Sequence, residues 1–149
     1  RYNEHNKPYI DLSDDHISVS HSGKFAAVII SHKRPVGIDI EQIHPRLHKV
    51  ADKFISHDET GKDPAGMSSG ELCLHWCAKE ALYKLYGERQ LDFREHIRIQ
   101  SPPGLEGGFK GIIRQKGDER SYRLRSETIE DYCLVYVVDE PEKRALRPF

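Results

Sequence analysis

Three carboxylates in this sequence have the types and spacing of a metal site. Asp39 and Glu41 are two residues apart in a β-prone run, so on an extended strand both side chains leave the same face. Glu80 lies in a helix-prone run, with Lys79 beside it and Lys84 one helical turn further on. Carboxylate oxygens are the ligands that Mg²⁺ prefers, and the lysines suit phosphate. The two runs together predict a metal and phosphate site.

Each run also has an ordinary interpretation. A half-exposed strand places carboxylates such as Asp39 and Glu41 in water and apolar residues in the core. Likewise, Glu80 and Lys84 are an unremarkable surface ion pair on an amphipathic helix. If the three carboxylates converge in the fold, the metal site is favoured over exposed carboxylates on an ordinary strand and helix. Packed together without a cation they would repel one another and shift each other's pKa, so convergence implies a bound ion.

A third polar element precedes these runs. The stretch Ser18–Gly23 is a strand end with serine hydroxyls, an imidazole and a glycine. His21 and the serines can donate to a phosphate, or the hydroxyls can simply cap their own strand. Ser20 and His21 are neighbours on a strand and point to opposite faces, which excludes them as a nucleophile and base pair.

The hydrophobic periodicity predicts an α+β fold with antiparallel sheets. A helix is expected at about 46–54, and the polar stretch 57–66 reads as a mobile connection. A stronger helix begins at a capping box of Ser68 and Glu71 and stops at Gly87. Strands are expected at 16–20, 25–31, 36–41, 97–100, 109–115, 121–126 and 132–138.

Composition restricts the partners and the compartment. A net charge of −1 and a pI near 6.8 give no overall field for nucleic acid or an anionic membrane. No run is long enough to cross a bilayer. Three cysteines, an odd number, without a secretory segment predict the cytoplasm. Cys73, His75 and Cys77 are poor metal ligands, since on a helix the imidazole points away from both thiols.

Three motifs in order carry a resemblance to a known family. They are Ser-His-Ser-Gly at 20–23, Gly-Ile-Asp-Ile-Glu at 37–41 and Trp-x-x-Lys-Glu-Ala at 76–81. The chain resembles the 4′-phosphopantetheinyl transferases of the larger, surfactin-synthetase-activating type. Supporting matches run from Lys7-Pro8 through the segment 54–59 to Phe93, and past about residue 95 only the strand pattern agrees.

The resemblance implies transfer of the phosphopantetheine arm from coenzyme A to a serine of an acyl or peptidyl carrier protein, with release of adenosine 3′,5′-bisphosphate. Glu80, or a metal-bound water that it orients, would take the serine proton, and the sequence does not choose between them. By motif match, Mg²⁺ would be held by Asp39, Glu41 and Glu80, and coenzyme A would be contacted by Lys7, Ser20, His21, Lys79 and Lys84.

The resemblance also sets expectations for domain organisation. Larger family members carry a further amino-terminal stretch that completes a pseudo-twofold pair of lobes. Residues 1–45 are therefore expected to be the remainder of a first lobe, 46–139 the second lobe and 140–149 a loose tail. The chain is expected to be truncated, or completed by a partner chain, and otherwise to be a monomer.

Two rival functions use the same residues. A metal-dependent phosphodiesterase or nuclease would employ the same carboxylates, although the basic and aromatic surface for nucleic acid is missing. The second rival function is a non-catalytic module that binds coenzyme A or a carrier protein.

Overall fold

The computed structural model describes residues 1–88, 90–100, 104 and 106–140. Every predicted strand is present, which confirms the strand pattern. The described strands are β1 (Asp15–Ser22), β2 (Phe25–His32), β3 (Val36–Gln42), β4 (Ile97–Gln100), β5 (Gly107–Gln115), β6 (Asp118–Ile129) and β7 (Tyr132–Val138). The described α-helices are α1 (His57–Thr60) and α2 (Ser69–Tyr86).

The strands form two antiparallel sheets. β1 and β2 make a hairpin, and the larger sheet has the order β3-β7-β6-β5-β4. The predicted α+β class with antiparallel sheets is confirmed. Because β3 pairs with β7, with Asp39 opposite Val135, a boundary after residue 45 separates β3 from its partner strand. The pairing favours grouping β3 with the second unit, and the division into lobes stays a prediction. Of the predicted tail, only Glu140 is among the described residues.

The predicted helix at 46–54 is wrong. Two short 3-10 helices occupy this stretch, Pro45–Lys49 and Ala51–Lys53. Each segment is too short to offset the free-energy cost of nucleating an α-helix. Hydrogen bonds between residues three apart, as in a 3-10 helix, satisfy the backbone groups instead. The predicted connection at 57–66 also needs correction, since it contains α1 and a further 3-10 turn, Pro64–Gly66.

The ends of α2 follow the predicted capping chemistry. The Ser68 Oγ accepts the Glu71 N–H at 3.1 Å, and the Glu71 carboxylate accepts the Ser68 N–H at 2.7 Å. Gly87 ends the helix in the left-handed region, at φ 77°, and donates its N–H to the Tyr83 carbonyl. One face of α2 is buried in the core against the larger sheet. None of the described helices is both long and apolar enough to cross a membrane.

A glycine lets α2 lie directly on β3. A Cβ built on Gly37 would fall 1.8 Å from the Ala81 carbonyl oxygen, a backbone atom that cannot move aside. Only glycine permits this approach. The close contact places the helix residues that follow Lys79 beside the side chains of β3, and so it determines where the candidate site forms.

Candidate active site

The Ser-His-Ser stretch of β1 has two faces with different neighbours. Ser20 is buried, and its Oγ donates to Asp39 Oδ1 at 2.8 Å while accepting the Ile40 N–H at 3.2 Å. His21 lies on the opposite face, exposed, and lines a cleft. The Ser-His-Ser stretch therefore contacts two parts of the structure, β3 through Ser20 and the cleft through His21. The Ser20 hydroxyl is committed to β3, which differs from its predicted contact with coenzyme A, whereas His21 is open to a ligand in the cleft.

Asp39 is the most enclosed of the three carboxylates. Its Oδ1 accepts from Ser20 and from the Lys84 ammonium, both at 2.8 Å, and the Lys84 Nζ also donates to the Ile38 carbonyl. Burial raises the pKa of Asp39, and the charge of Lys84 opposes that rise. The second oxygen, Oδ2, is buried without a hydrogen-bond partner among the described residues, although the Cys77 thiol lies near enough to the carboxylate to lower its pKa. An orphaned carboxylate oxygen is a place for a cation.

Glu41 and Glu80 share this environment. Burial raises the pKa of Glu41, and the charge of Asp39 raises it further. Burial, followed by the charges of Asp39 and Glu41, raises the pKa of Glu80 to about 7, against the opposing charge of Lys84. The three carboxylates from β3 and α2 are therefore electrostatic neighbours, and their sharing of a cation stays a prediction.

The donor set fits a hard divalent cation in kind. It comprises three carboxylates from two elements, one orphaned oxygen and mutual repulsion that a cation would relieve. Even so, within the part of the chain that the structure describes, no three histidine, cysteine or carboxylate side chains are grouped as a metal site would require. The ammonium of Lys84 sits against Asp39 instead, and supplies the local positive charge.

The raised pKa of Glu80 predicts that its charge destabilises the metal-free protein. The Glu80 carboxyl binds its proton more tightly in the folded chain than in the unfolded chain. The folded state therefore loses stability as the pH rises from 4.5 to about 7. We expect Glu80→Gln to raise the unfolding free energy at pH 8 by about 1–2 kcal/mol, because partial solvation screens the effect, and by little at pH 4.5. Urea unfolding in EDTA at the two pH values measures this.

Glu71→Gln is the matched control, with the opposite sign. Hydrogen bonding to the Ser68 N–H lowers the pKa of Glu71, so its charge favours the folded state at pH 8 and its loss should destabilise. Equal responses of the two variants at pH 8 would contradict the assignment of Glu80 to a repulsive cluster.

A cleft of about 280 Å³ adjoins the carboxylates through Lys84, which lines it and pairs with Asp39. Its wall carries two lysines, Lys7 and Lys84, two imidazoles, from His5 and His21, and one carboxylate, from Glu88. The Lys7 Nζ donates to the Leu85 carbonyl at 3.1 Å, and burial lowers the pKa of this amine. The remaining lining includes the aromatic rings of Tyr2 and Tyr83, the aliphatic ring of Pro8 and the backbone of Gly87. Cations beside flat apolar surface suit an anionic ligand with a ring.

The structure contradicts the predicted phosphate contact of Lys79. Its side chain is wholly buried, and its Nζ lies 2.6–2.9 Å from four oxygens. These are the Glu59 carboxylate and the carbonyls of Phe54, Phe93 and Ile97. Three ammonium protons are shared among four acceptors, so none is left for a phosphate. Lys79 joins α2 to its neighbours in the core rather than facing the cleft.

Comparisons with known proteins identify the family of the chain. The family model described as the 4′-phosphopantetheinyl transferase superfamily matches residues 35–137, which contain all three carboxylates and Lys84. The chain belongs to the 4′-phosphopantetheinyl transferase superfamily. This confirms the resemblance carried by the three motifs.

Curated members of the superfamily extend the match. A 4′-phosphopantetheinyl transferase of Bacillus subtilis is 32% identical over 136 residues, which are 81% of this chain and 58% of that protein. The 4′-phosphopantetheinyl transferase psf-1 of Bacillus pumilus is 34% identical over 133 residues, 87% of this chain and 50% of that protein. The enzyme gsp of Aneurinibacillus migulanus is 42% identical over 94 residues, 59% of this chain and 38% of that protein. The chain thus spans about half the length of the relatives it matches.

Sequence reasoning missed the contacts that two groups of side chains make with the elements of the site in this superfamily member. Glu59 has a side chain with no exposure and accepts from Lys79 at 2.7 Å and from the Ile99 N–H at 3.0 Å. No local pattern marks it as buried. Ser18 and Ser22 flank Ser20 on the same face of β1 and also bond to β3. Their alternation with Ser20 was a usable signal, because residues two apart on a strand share a face.

Proposed function

We propose that this chain carries the Mg²⁺-dependent centre of a 4′-phosphopantetheinyl transferase, which moves the phosphopantetheine arm of coenzyme A to a serine of an acyl or peptidyl carrier protein. The observation that carries the proposal is the electrostatic coupling of Asp39, Glu41 and Glu80, with Lys84 paired to Asp39 and also lining the adjoining cleft. Membership of the superfamily and the activity in the relatives' names support it.

The metal would be held by the three carboxylates and would neutralise charge on the coenzyme A pyrophosphate. Lys84 would pair with phosphate once its contact with Asp39 is exchanged. His21 and Lys7 would bind phosphate and nucleotide along the cleft that they line. The partly apolar lining of this cleft would limit water around a bound anion, which would strengthen each of these contacts.

The chemical step is a displacement at phosphorus. The carrier serine oxygen forms a bond to the phosphorus of the pantetheine-bearing phosphate, the bond from that phosphorus to the bridging oxygen breaks, and adenosine 3′,5′-bisphosphate leaves. The serine proton needs an acceptor. Glu80 is the candidate for this task by its place beside Asp39 and Glu41. Its pKa of about 7 belongs to the metal-free chain, and a bound cation would lower it. Glu80 would have to combine this role with metal binding or hand the proton to water.

The test is an assay of the purified chain with coenzyme A, Mg²⁺ and an apo carrier protein. We expect the carrier to gain one phosphopantetheine by mass spectrometry, with release of one adenosine bisphosphate, and no gain in EDTA. Carrier left unmodified while coenzyme A still binds would favour the binding-module alternative. Hydrolysis of coenzyme A without a carrier would favour a phosphodiesterase.

The proposed compartment is the cytoplasm. All three cysteines, Cys73, Cys77 and Cys133, are buried free thiols, which agrees with a reducing environment. The proposed oligomeric state is a monomer, unless another chain completes the first lobe.

A further inference from the structure

Three serines of β1 form a regular ladder with the edge of β3. The Oγ atoms of Ser18, Ser20 and Ser22 accept the backbone N–H groups of Ile38, Ile40 and Gln42 at 3.1, 3.2 and 3.3 Å. The offset is 20 residues in each pair, so the two strands run side by side in the same direction. The N–H groups on this edge of the larger sheet are thereby satisfied by side chains, where a neighbouring strand would ordinarily supply carbonyls.

Two of these hydroxyls have a second partner. Ser20 donates its proton to Asp39 Oδ1 at 2.8 Å, and Ser22 donates more weakly to Glu41 Oε2 at 3.5 Å. Ser18 has the N–H contact without a carboxylate contact. Thus the same strand offers two serines that touch candidate metal ligands and one, in the same ladder, that does not.

The geometry constrains the Asp39 carboxylate strongly. A hydroxyl that accepts an N–H has its single proton directed elsewhere, and for Ser20 the acceptor is Asp39 Oδ1. Ser20 and Asp39 are 7% and 3% exposed, so water does not replace this bond. With Oδ1 held by Ser20 and Lys84, the side chain cannot rotate freely, and Oδ2 remains the unpartnered oxygen.

We propose that Ser20, and more weakly Ser22, are positioning residues that orient the carboxylates of Asp39 and Glu41 toward a divalent cation. This inference rests on the proposed function. Under it Ser20 and Ser22 orient metal ligands, whereas Ser18, Val19 and His21 line the cleft. Ser20 then has no direct contact with coenzyme A, in contrast to what the resemblance implies.

The experiment compares Ser20→Ala with Ser18→Ala, using Mn²⁺ as the probe. Titration of the full chain followed by electron paramagnetic resonance gives the cation affinity without any turnover. Both variants lose one ladder bond, and Ser20→Ala also loses its bond to Asp39, so urea unfolding of each variant establishes that it is folded under the conditions of the titration. We expect Ser20→Ala to weaken Mn²⁺ binding about 10–100-fold, the usual effect of losing a group that orients a metal ligand, and Ser18→Ala to leave it within about threefold. Ser20→Thr, which keeps the hydroxyl, should restore the affinity.

Two further outcomes separate the proposals. Coenzyme A affinity measured in EDTA should be unchanged in Ser20→Ala, whereas a loss there would mean that Ser20 contacts the nucleotide and would overturn the positioning role. Equal Mn²⁺ affinities of Ser20→Ala and Ser18→Ala would overturn it as well. If the unaltered chain does not bind Mn²⁺, the proposed function fails and the positioning role fails with it. Wild-type binding with no difference between the variants rejects only the positioning role.

Discussion

Asp39→Asn is expected to reduce phosphopantetheine transfer by at least about a hundredfold, since the change removes several kcal/mol of charge stabilisation from a metal site. Asparagine has nearly the same shape and can still accept from Ser20 and Lys84. It lacks the negative charge, and its amide nitrogen or uncharged oxygen would occupy the position of Oδ2. Transfer rates at saturating coenzyme A and a range of Mg²⁺ concentrations would show the loss.

A matched control for this variant is Asp52→Asn. Asp52 is an exposed carboxylate in the short 3-10 helix Ala51–Lys53, outside the candidate site. Its replacement should leave transfer unchanged. Transfer by Asp39→Asn at the wild-type rate, with normal dependence on Mg²⁺, would remove Asp39 from the site and with it the central part of the proposed function.

The carboxylate group was predictable because it depends on local geometry. Spacing by two on a strand places Asp39 and Glu41 on one face, and the capped helix places Glu80 and Lys84 on a common face whatever the rest of the fold does. The contact between these faces depends on Gly37, which lies between the two elements. A glycine inside a strand indicates a close approach, although the sequence does not say to which element.

The remaining features depend on tertiary packing, which periodicity does not contain. The stretch 46–54 has helical spacing of apolar residues, yet it forms 3-10 turns because its neighbours in the core determine its backbone. The direction of the Ser20 hydroxyl depends on where β3 lies beside β1. Lys79 is a second residue whose surroundings the sequence does not specify. It lies about 100° around the helix from its neighbour Glu80, so that Glu80 faces the site while Lys79 is buried in the core.

Lys79→Met is expected to destabilise the fold by about 3–5 kcal/mol, the usual cost of removing one partner from a buried ion pair. Both Lys79 and Glu59 have side chains with no exposure. Burial lowers the pKa of Lys79, and the Glu59 charge opposes this. Burial favours the neutral form of Glu59 too, but the nearby His75 imidazole, 3.5 Å away, and the charge and hydrogen bond of Lys79 lower its pKa overall. Methionine fills the space of the stem and leaves the Glu59 carboxylate without its cation.

The double variant Lys79→Met with Glu59→Leu separates the ion pair from simple loss of packing. With both charges gone, the desolvation cost disappears, and the double variant should be less destabilised than the sum of the two single variants. Urea unfolding of the four proteins measures the coupling, and coenzyme A affinity at pH 7.5 is the second readout. A fully stable Lys79→Met protein that binds coenzyme A weakly would restore Lys79 as a phosphate ligand. Loss of stability with strong coupling to Glu59 would instead show that the lysine next to Glu80 acts by anchoring α2, so that Glu80 and Lys84 are presented to β3 from a fixed helix.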